Sequence, residues 1–318
     1  MPEIGYALSS EEHPPNELVA FARRAEEAGF THALISDHFH PWVGAQGESP
    51  FVWSTLGGIA QATRRLRVGT GVTCPTIRTH PAIVAHAAAT VGAMMPGRFF
   101  LGLGTGENLN EHVTGARWPP GDERLDMLAE AIEVIRLLWQ GGQQTHRGDH
   151  YTVEDACLYT LPDELPPIVV AAAKPGAAEL AAQNDGLIGV SPEAELVQRF
   201  EQAGGAGKPR YGQVTICWAE RAEQAKQTAY EVWPNAGVKG ELSQELPNPE
   251  HFEQAAQMIT ADDVAQSVVC GPDPGPVIEQ IDAYAEAGYD HVYIHQIGRD
   301  QEGFFRFAER EILPRYAS

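Results

Sequence analysis

Short apolar runs alternate with longer amphipathic stretches along almost the whole chain. The runs are four or five residues long, as in buried strands, and the stretches between them have the apolar spacing of helices that bury one face. The predicted strands are Ile4–Leu8, His32–Ser36, Leu66–Thr70, Phe99–Leu103, Ile168–Ala172, Gly186–Val190, Gln213–Cys217 and His291–Ile294. The predicted helices are Pro15–Ala28, Pro50–Thr63, Pro81–Met94, Arg124–Trp139, Gly176–Gln183, Glu193–Ala203, Arg221–Val232 and Gly303–Leu313.

Unbroken strand–helix alternation predicts an α/β fold with a parallel sheet, because parallel strands need crossover connections. Eight such units favour a closed (β/α)8 TIM barrel over an open sheet. Two connections are too long for plain crossovers, 104–166 after strand 4 and 233–289 after strand 7. The first contains a hairpin-like segment at 143–159. The second contains helical patterns at Pro249–Met258, Ala261–Ser267 and Pro274–Ala287. We interpret both as insertions on one barrel domain that spans residues 1–318.

Composition and charge exclude several classes of function. The chain of 318 residues is 43% hydrophobic and 20% charged, which is typical of a globular protein with a large core. Its formal net charge of −21 argues against nucleic acid and anionic membranes as partners. The sequence contains no apolar run of about 18 residues and no basic, apolar N-terminal signal, so we expect neither a membrane span nor secretion. Four widely spaced cysteines without a Cys-x-x-Cys pattern indicate a reduced, cytoplasmic protein.

Polar residues cluster where the predicted strands end, and in barrels of this kind the active site lies at the C-terminal ends of the strands. The second strand runs directly into Asp-His-Phe-His-Pro-Trp at 37–42, the most polar strand end in the chain. The third strand continues as a Gly/Thr-rich segment at 69–75, and the fourth continues through three glycines to Asn110. The fifth reaches Lys174 just before a helix start, a position that suits a phosphate group. We therefore expect the active site at this end of the barrel.

Individual residues in these segments have alternative interpretations. A histidine at a strand end is more often structural than catalytic, but the neighbouring Asp37 and Trp42 favour a functional role for His38. Glu107 is either a general acid or a cap for the segment that follows it. His38 and His40 would share one face of a strand, as metal ligands do in zinc-dependent barrel hydrolases. That pair follows the second strand, and the fourth strand has no lysine to bridge two metals, which argues against such a hydrolase. His40 is equally consistent with a solvated turn.

Three motifs occur together at these strand ends: Ser-Asp-His-Phe-x-Pro-Trp at 36–42, Gly-Thr-x-Val-x-x-Pro-Thr at 69–76 and Phe-Leu-Gly-x-Gly-Thr-Gly-Glu-x-Leu-Asn-Glu at 100–111. From Gly5 to about Arg315 the chain resembles the bacterial-luciferase-like superfamily, and more narrowly its coenzyme F420-dependent branch typified by glucose-6-phosphate dehydrogenase. The resemblance implies a barrel, usually a homodimer, that holds F420 at its mouth. It also implies hydride transfer between an alcohol or sugar carbon and C5 of the deazaflavin. An FMN-dependent luciferase-like monooxygenase is the alternative.

The resemblance implies a role for each residue of the motifs. His38 would be the base that takes the hydroxyl proton, since an imidazole changes charge near neutral pH. Trp42 would shield the reacting centre, Glu107 would handle the proton of the cofactor ring, and Glu11 would lie nearby. We expect no metal, and a cis peptide bond between Gly71 and Val72. The implied cofactor-binding residues are Asp37, Gly71, Val72, Cys74, Thr105, Gly106, Asn110, Ala173 and Lys174.

The segment after the sixth strand departs from relatives that oxidise sugar phosphates. Those relatives hold the phosphate with a hydroxyl residue, a lysine three positions later and basic residues of the insertion that follows strand 7. Here Val190 and Glu193 occupy the first two positions, and Gln254 aligns with a further lysine. Each lost charge-assisted hydrogen bond costs about 1.5–3 kcal/mol. We expect an uncharged alcohol or unphosphorylated sugar as the substrate, with glucose 6-phosphate a poor one, although Lys239 is available to supply a cation.

Overall fold

The strands close into a barrel in the computed structural model, which describes residues 1–238 and 240–317. Within those residues the strands are β1 (Glu3–Leu8), β2 (His32–Ile35), β3 (Arg67–Thr70), β4 (Phe99–Leu103), β5 (Gln144–Arg147), β6 (Thr152–Ala156), β7 (Ile168–Ala171), β8 (Gly186–Gly189), β9 (Arg210–Cys217), β10 (Val269–Cys270) and β11 (His291–Gln296). Eight of them, β1–β4, β7–β9 and β11, pair in parallel, and the β8–β9 and β11–β1 pairs close the sheet. The predicted (β/α)8 fold is confirmed.

Helices surround the barrel and alternate with its strands. They are α1 (Pro15–Ala28), α2 (Val52–Ala62), α3 (Pro81–Met94), α4 (Asn108–Glu111), α5 (Gly121–Leu138), α6 (Pro175–Gln183), α7 (Ala194–Phe200), α8 (Ala222–Val232), α9 (Leu242–Glu245), α10 (Pro249–Ala256), α11 (Ala261–Val264), α12 (Pro274–Glu286), α13 (Gln301–Phe307) and α14 (Leu313–Tyr316). Proline in the first turn starts several of them, as in α1, which ends at Gly29 in the left-handed conformation.

Three elements start two or three residues earlier than the hydrophobic pattern predicts, namely α5, β9 and α13. The helix α5 begins at Gly121, directly after Pro120. The strand β9 begins at Arg210, because Arg210, Tyr211 and Gly212 pair with β8. The helix α13 begins at Gln301, because the Asp300 carboxylate accepts a hydrogen bond of 2.8 Å from the Gly303 N–H and caps the first turn.

The two long connections contain most of the additional elements. Between β4 and β7 lie α4, α5 and the antiparallel hairpin β5–β6, which occupies the predicted hairpin-like segment. Between β9 and β11 lie α8 to α12 and β10. The short elements α4, α9 and β10 have too few residues for a hydrophobic period to reveal them, and the sequence did not predict them.

Side chains fill the interior of the barrel. On β1, Tyr6 and Leu8 pack outwards against the helices, whereas Ala7 faces inwards. The inward-facing cluster comprises Ala7, Leu34, Phe100, Val169, Ile188, Tyr211 and Tyr293. Gly69 lacks a side chain where the Phe100 ring crosses the interior, since a Cβ there would lie 2.1 Å from that ring. A packed interior leaves only the two ends of the barrel for ligands. Among the described residues, no helix is long and apolar enough to cross a bilayer.

Candidate active site

His38 and Glu11 meet at the C-terminal end of the barrel. They follow β2 and β1, which are adjacent strands, so both side chains enter the mouth side by side. His38 Nε2 lies 3.4 Å from Glu11 Oε1, and both side chains are nearly buried. Glu11 Oε2 accepts hydrogen bonds from the hydroxyls of Ser9 at 3.0 Å and Ser36 at 2.7 Å. The carboxylate is therefore fixed in contact with the imidazole, as the resemblance implies.

The other side of the His38 ring is held by a carbonyl and covered by an aromatic wall. His38 Nδ1 lies 3.2 Å from the backbone oxygen of His40. Both ring nitrogens therefore face an oxygen that only accepts hydrogen bonds, the His40 carbonyl at Nδ1 and the Glu11 carboxylate at Nε2. The Trp42 ring packs on the imidazole with centroids 5.0 Å apart, and Trp42 in turn meets Phe252 of α10 edge to face. The position of the ring is thus set.

A buried ion cluster supports the loop that carries His38. The Arg78 guanidinium donates to Asp37 Oδ1 at 3.0 Å and lies 3.4 Å from Glu111 Oε1, while Asp37 Oδ2 accepts from the Thr73 hydroxyl at 2.7 Å. Burial raises the pKa of Glu111 to about 7, against the opposing charge of Arg78. Glu111 lies within one of the sequence motifs but had no predicted role, and Arg78 was not predicted as a site residue. Only tertiary structure shows that these residues meet.

Small residues on the loops after β3 and β4 form a cradle. The Gly71–Val72 peptide bond is cis, as predicted. A Cβ at Gly104 would lie 2.6 Å from the Val72 side chain, and a Cβ at Gly106 would lie 2.6 Å from Cys74 Sγ. Gly106 also has φ of +74°, which favours glycine. Burial raises the pKa of the Cys74 thiol, so the thiol stays protonated and uncharged beside Gly106.

Asn110 joins the cradle side of the mouth to the His38 side. Its Oδ1 accepts from the backbone N–H groups of Phe39 and His40, and its Nδ2 donates to Glu107 Oε2 at 3.3 Å. Glu107 itself is partly exposed and directly precedes α4. Thr105 is also partly exposed on this loop. The structure therefore brings the β2 and β4 loops together through one side chain.

The histidine pair of the zinc hydrolase alternative does not form a metal site. His40 Nδ1 lies 2.9 Å from the Leu109 carbonyl, and His38 Nδ1 faces the His40 carbonyl. Within residues 1–238 and 240–317, neither histidine belongs to a group of three side chains that could hold a metal ion.

Ala173 and Lys174 lie at the end of β7, where α6 begins, and both are exposed. Lys174 Nζ donates to Glu241 Oε1 at 2.8 Å, in an ion pair open to solvent on both sides. Exposed pairs of this kind contribute little stability. Lys174 can therefore leave Glu241 for another anion.

The predicted substrate residues carry no positive charge and are exposed. Val190 has 70% of its surface exposed, and Glu193 accepts a hydrogen bond from the Ser191 hydroxyl at 2.8 Å. Gln254 lies on the exposed side of α10. Lys239, the possible cation, lies outside the described residues.

A second buried carboxylate, Glu12, was not predicted. Glu12 Oε1 accepts from Trp233 Nε1 at 2.6 Å and lies 3.3 Å from His295 Nε2, while Oε2 accepts from the Gly298 N–H. Although burial opposes its ionisation, these hydrogen bonds and the charge of His295 lower the pKa of Glu12. The two adjacent glutamates after β1 therefore have different contacts. Glu11 faces His38, and Glu12 joins the segment after β1 to Trp233, at the start of the 233–289 insertion.

Residues 1–291 match the family model described as luciferase-like monooxygenase. The chain is 36% identical to the F420-dependent glucose-6-phosphate dehydrogenase of Microbacterium testaceum (strain StLB037), over 98% of this chain and 96% of that protein. It is 34% identical to the enzyme of the same name from Nocardia farcinica (strain IFM 10152), over 98% of this chain and 97% of that protein.

Solved structures give a similar result. An F420-dependent secondary alcohol dehydrogenase in complex with an F420-acetone adduct superposes with a TM-score of 0.90 and 30% sequence identity, over 98% of both chains. The coenzyme F420-dependent tetrahydromethanopterin reductase from Methanopyrus kandleri superposes with a TM-score of 0.78 at 19% identity, over 99% of both chains. At that lower identity the likeness establishes the barrel fold alone.

Proposed function

The chain belongs to the luciferase-like monooxygenase family, and on that premise we propose that it is an F420-dependent dehydrogenase acting on an alcohol or sugar. Relatives at 30% identity or more, in sequence and in structure, carry the names of F420-dependent dehydrogenases. The observation that carries the proposal is the contact of 3.4 Å between His38 Nε2 and Glu11 Oε1, under Trp42, at the barrel mouth.

His38 acts as the general base for the substrate hydroxyl. In the tautomer that acts as the base, Nδ1 donates to the His40 carbonyl and Nε2 is available for the hydroxyl proton. When Nε2 takes the hydroxyl proton, the ring becomes positively charged and faces the Glu11 carboxylate, which stabilises that charge. A positioned base of this kind accelerates a reaction by about 100- to 10,000-fold. Trp42 excludes water from one face of the imidazole while the proton moves.

We expect the flat ring system of the cofactor to lie against the cradle. Gly104 and Gly106 let the loops after β3 and β4 pack closely, because a Cβ at either position would meet Val72 or Cys74. Thr105, Gly106 and Asn110 would hold the deazaflavin, whose C5 accepts or donates the hydride when F420 is bound. Asp37 would support this surface through Thr73 and Arg78.

Glu107 and Lys174 complete the proposed cofactor contacts. Glu107, held by Asn110, would exchange the proton of the cofactor ring. Lys174 would release Glu241 to meet a phosphate of the cofactor side chain at the start of α6.

The substrate that we propose is an uncharged alcohol or an unphosphorylated sugar. The names of the sequence relatives favour glucose 6-phosphate, but a phosphate needs paired cations. Val190, Glu193 and Gln254 offer none. Arg78, on a neighbouring loop, is already paired with Asp37 and Glu111.

Titration of the purified protein with F420 and with FMN, followed by tryptophan fluorescence, tests the cofactor. We expect F420 to bind more tightly by about tenfold or more, equivalent to about 1.4 kcal/mol. Tighter binding of FMN would instead place the protein among the monooxygenases. The rate of F420 reduction by isopropanol, glucose and glucose 6-phosphate then tests the substrate. A preference for the phosphate ester would overturn the substrate assignment and leave the cofactor assignment intact.

A further inference from the structure

Two histidines and a glutamate meet at the floor of the barrel, at the N-terminal ends of the strands and opposite the active site. Glu3 and His291 are paired residues of β1 and β11, and His32 starts β2 beside Gly5. The two imidazoles lie close together, with ring centroids 4.8 Å apart and planes at 81°. Nothing in the proposed oxidoreductase chemistry uses this cluster.

We propose that Glu3, His32 and His291 bind a zinc ion at the barrel floor. Each residue offers one ligand atom, and these atoms lie within 4.8 Å of one another. Two imidazoles and one carboxylate, with water in the fourth position, form a common zinc ligand set. Ligands at about 2.1 Å from a tetrahedral zinc lie roughly 3.4 Å apart. His32 Nδ1 and Glu3 Oε2 are already 3.3 Å apart. The Thr31 hydroxyl lies 2.7 Å from this nitrogen and 3.2 Å from this oxygen, and a bound ion would displace it.

The surroundings of His291 support this assignment independently. The Asp290 carboxylate accepts from His291 Nδ1 at 2.5 Å, which leaves Nε2 with its lone pair. A carboxylate behind the ligating histidine is the usual outer partner in zinc sites, because it fixes the ring and strengthens the donor nitrogen. Asp290 is itself held by the backbone N–H of Arg210 at 2.9 Å. The orientation of the His291 ring is therefore fixed without a bound metal.

His32 is held in place by burial. It is 2% exposed, and the Thr31 hydroxyl lies 2.7 Å from its Nδ1. His32 also borders a floor cavity of about 210 Å³ with Arg67, Phe100 and Tyr211, which leaves room for a water ligand.

The local charge favours a cation only moderately. Glu3 and Asp290 contribute negative charge, and Arg67 and Arg210 oppose it. Arg210 is already paired with Asp290 and Glu201. Arg67 is exposed at the edge of the floor cavity.

Calorimetric titration of the full-length, tag-free, EDTA-treated protein with zinc chloride tests the proposal. We expect one tight ion per chain. Glu3→Gln and His291→Gln should each weaken zinc binding by tenfold or more. Asp290→Asn should weaken it by about 10- to 100-fold, since it removes only the outer partner. His86→Gln, on the exposed side of α3, is the matched control and should leave binding unchanged.

Cobalt(II) provides a second readout, because its visible absorption reports nitrogen ligands and a tetrahedral geometry. Circular dichroism of each variant separates loss of the site from loss of the fold. The Glu3→Gln/His291→Gln double variant decides the matter. If this folded variant binds zinc as tightly as the wild-type protein, the proposal is wrong. The result is independent of the proposed function, because neither metal titration involves F420 or an alcohol.

Discussion

Replacing Arg78 by methionine tests how the active-site loops are held together. The Arg78 guanidinium lies between Asp37 and Glu111, and all three side chains are less than 10% exposed. Methionine keeps the apolar length of the side chain and removes its charge, so both carboxylates lose their cation. Removal of one partner from a buried pair costs about 3–5 kcal/mol of unfolding free energy.

The cost should depend on pH in a defined direction. Glu111 has a pKa of about 7 in the wild-type protein, where burial raises it and the charge of Arg78 lowers it, so its pKa rises when the guanidinium is removed. At pH 6 Glu111 is mostly protonated with or without Arg78, whereas at pH 8 the wild-type carboxylate is mostly ionised and needs the guanidinium. We therefore expect Arg78→Met to destabilise the protein more at pH 8 than at pH 6.

Urea unfolding at the two pH values measures the effect. The matched control is Arg65→Met, because Arg65 is 80% exposed and lies 3.9 Å from Glu26. The loss of that surface pair should cost less than about 1 kcal/mol. If the two variants lose equal stability at pH 8, the buried cluster does not support the site and the reasoning is refuted.

Two further predictions concern Gly106 of the cradle and the Glu111 carboxylate. Gly106→Ala combines φ of +74° with Cβ contacts of 2.6 Å to Cys74 and 2.9 Å to Glu111. It should cost about 2–4 kcal/mol in urea unfolding and weaken F420 binding. Gly115→Ala, with φ of +81° and open space, should cost only about 1–2 kcal/mol, and equal losses would show that the cradle is not tight. Glu111→Gln should remove a component of stability that falls as pH rises from 4.5 to about 7, since the folded protein holds this proton more tightly than the unfolded chain. A stability difference from wild type that is the same at pH 5 and pH 8 would contradict this.

The strands of the barrel were predictable because each is a short apolar run, and the predicted site residues were chosen from short motifs at the strand ends. His38 and Trp42 lie four residues apart after one strand. The cis Gly71–Val72 bond followed from a resemblance carried by local motifs. Features of this kind depend on neighbouring residues, so a sequence is enough to find them.

What the sequence could not provide are contacts between distant segments. The roles of Glu11 and Glu12, adjacent in sequence, are decided by how the chain turns after β1, and one of them is held by Trp233 from the late insertion. Arg78 meets Asp37 and Glu111 only because the β2, β3 and β4 loops converge at one end of the barrel. The floor cluster requires closure of β11 onto β1.

The rate of F420 reduction by isopropanol in a single turnover, compared between the wild-type protein and His38→Ala, tests the central claim. Removal of the general base should slow reduction by about 100- to 10,000-fold, while F420 affinity changes little. His40→Gln is the neighbouring control, because its ring is engaged with the Leu109 carbonyl, and it should retain most of the rate. An unchanged rate in His38→Ala, with F420 bound normally, would contradict the assignment of His38 as the base.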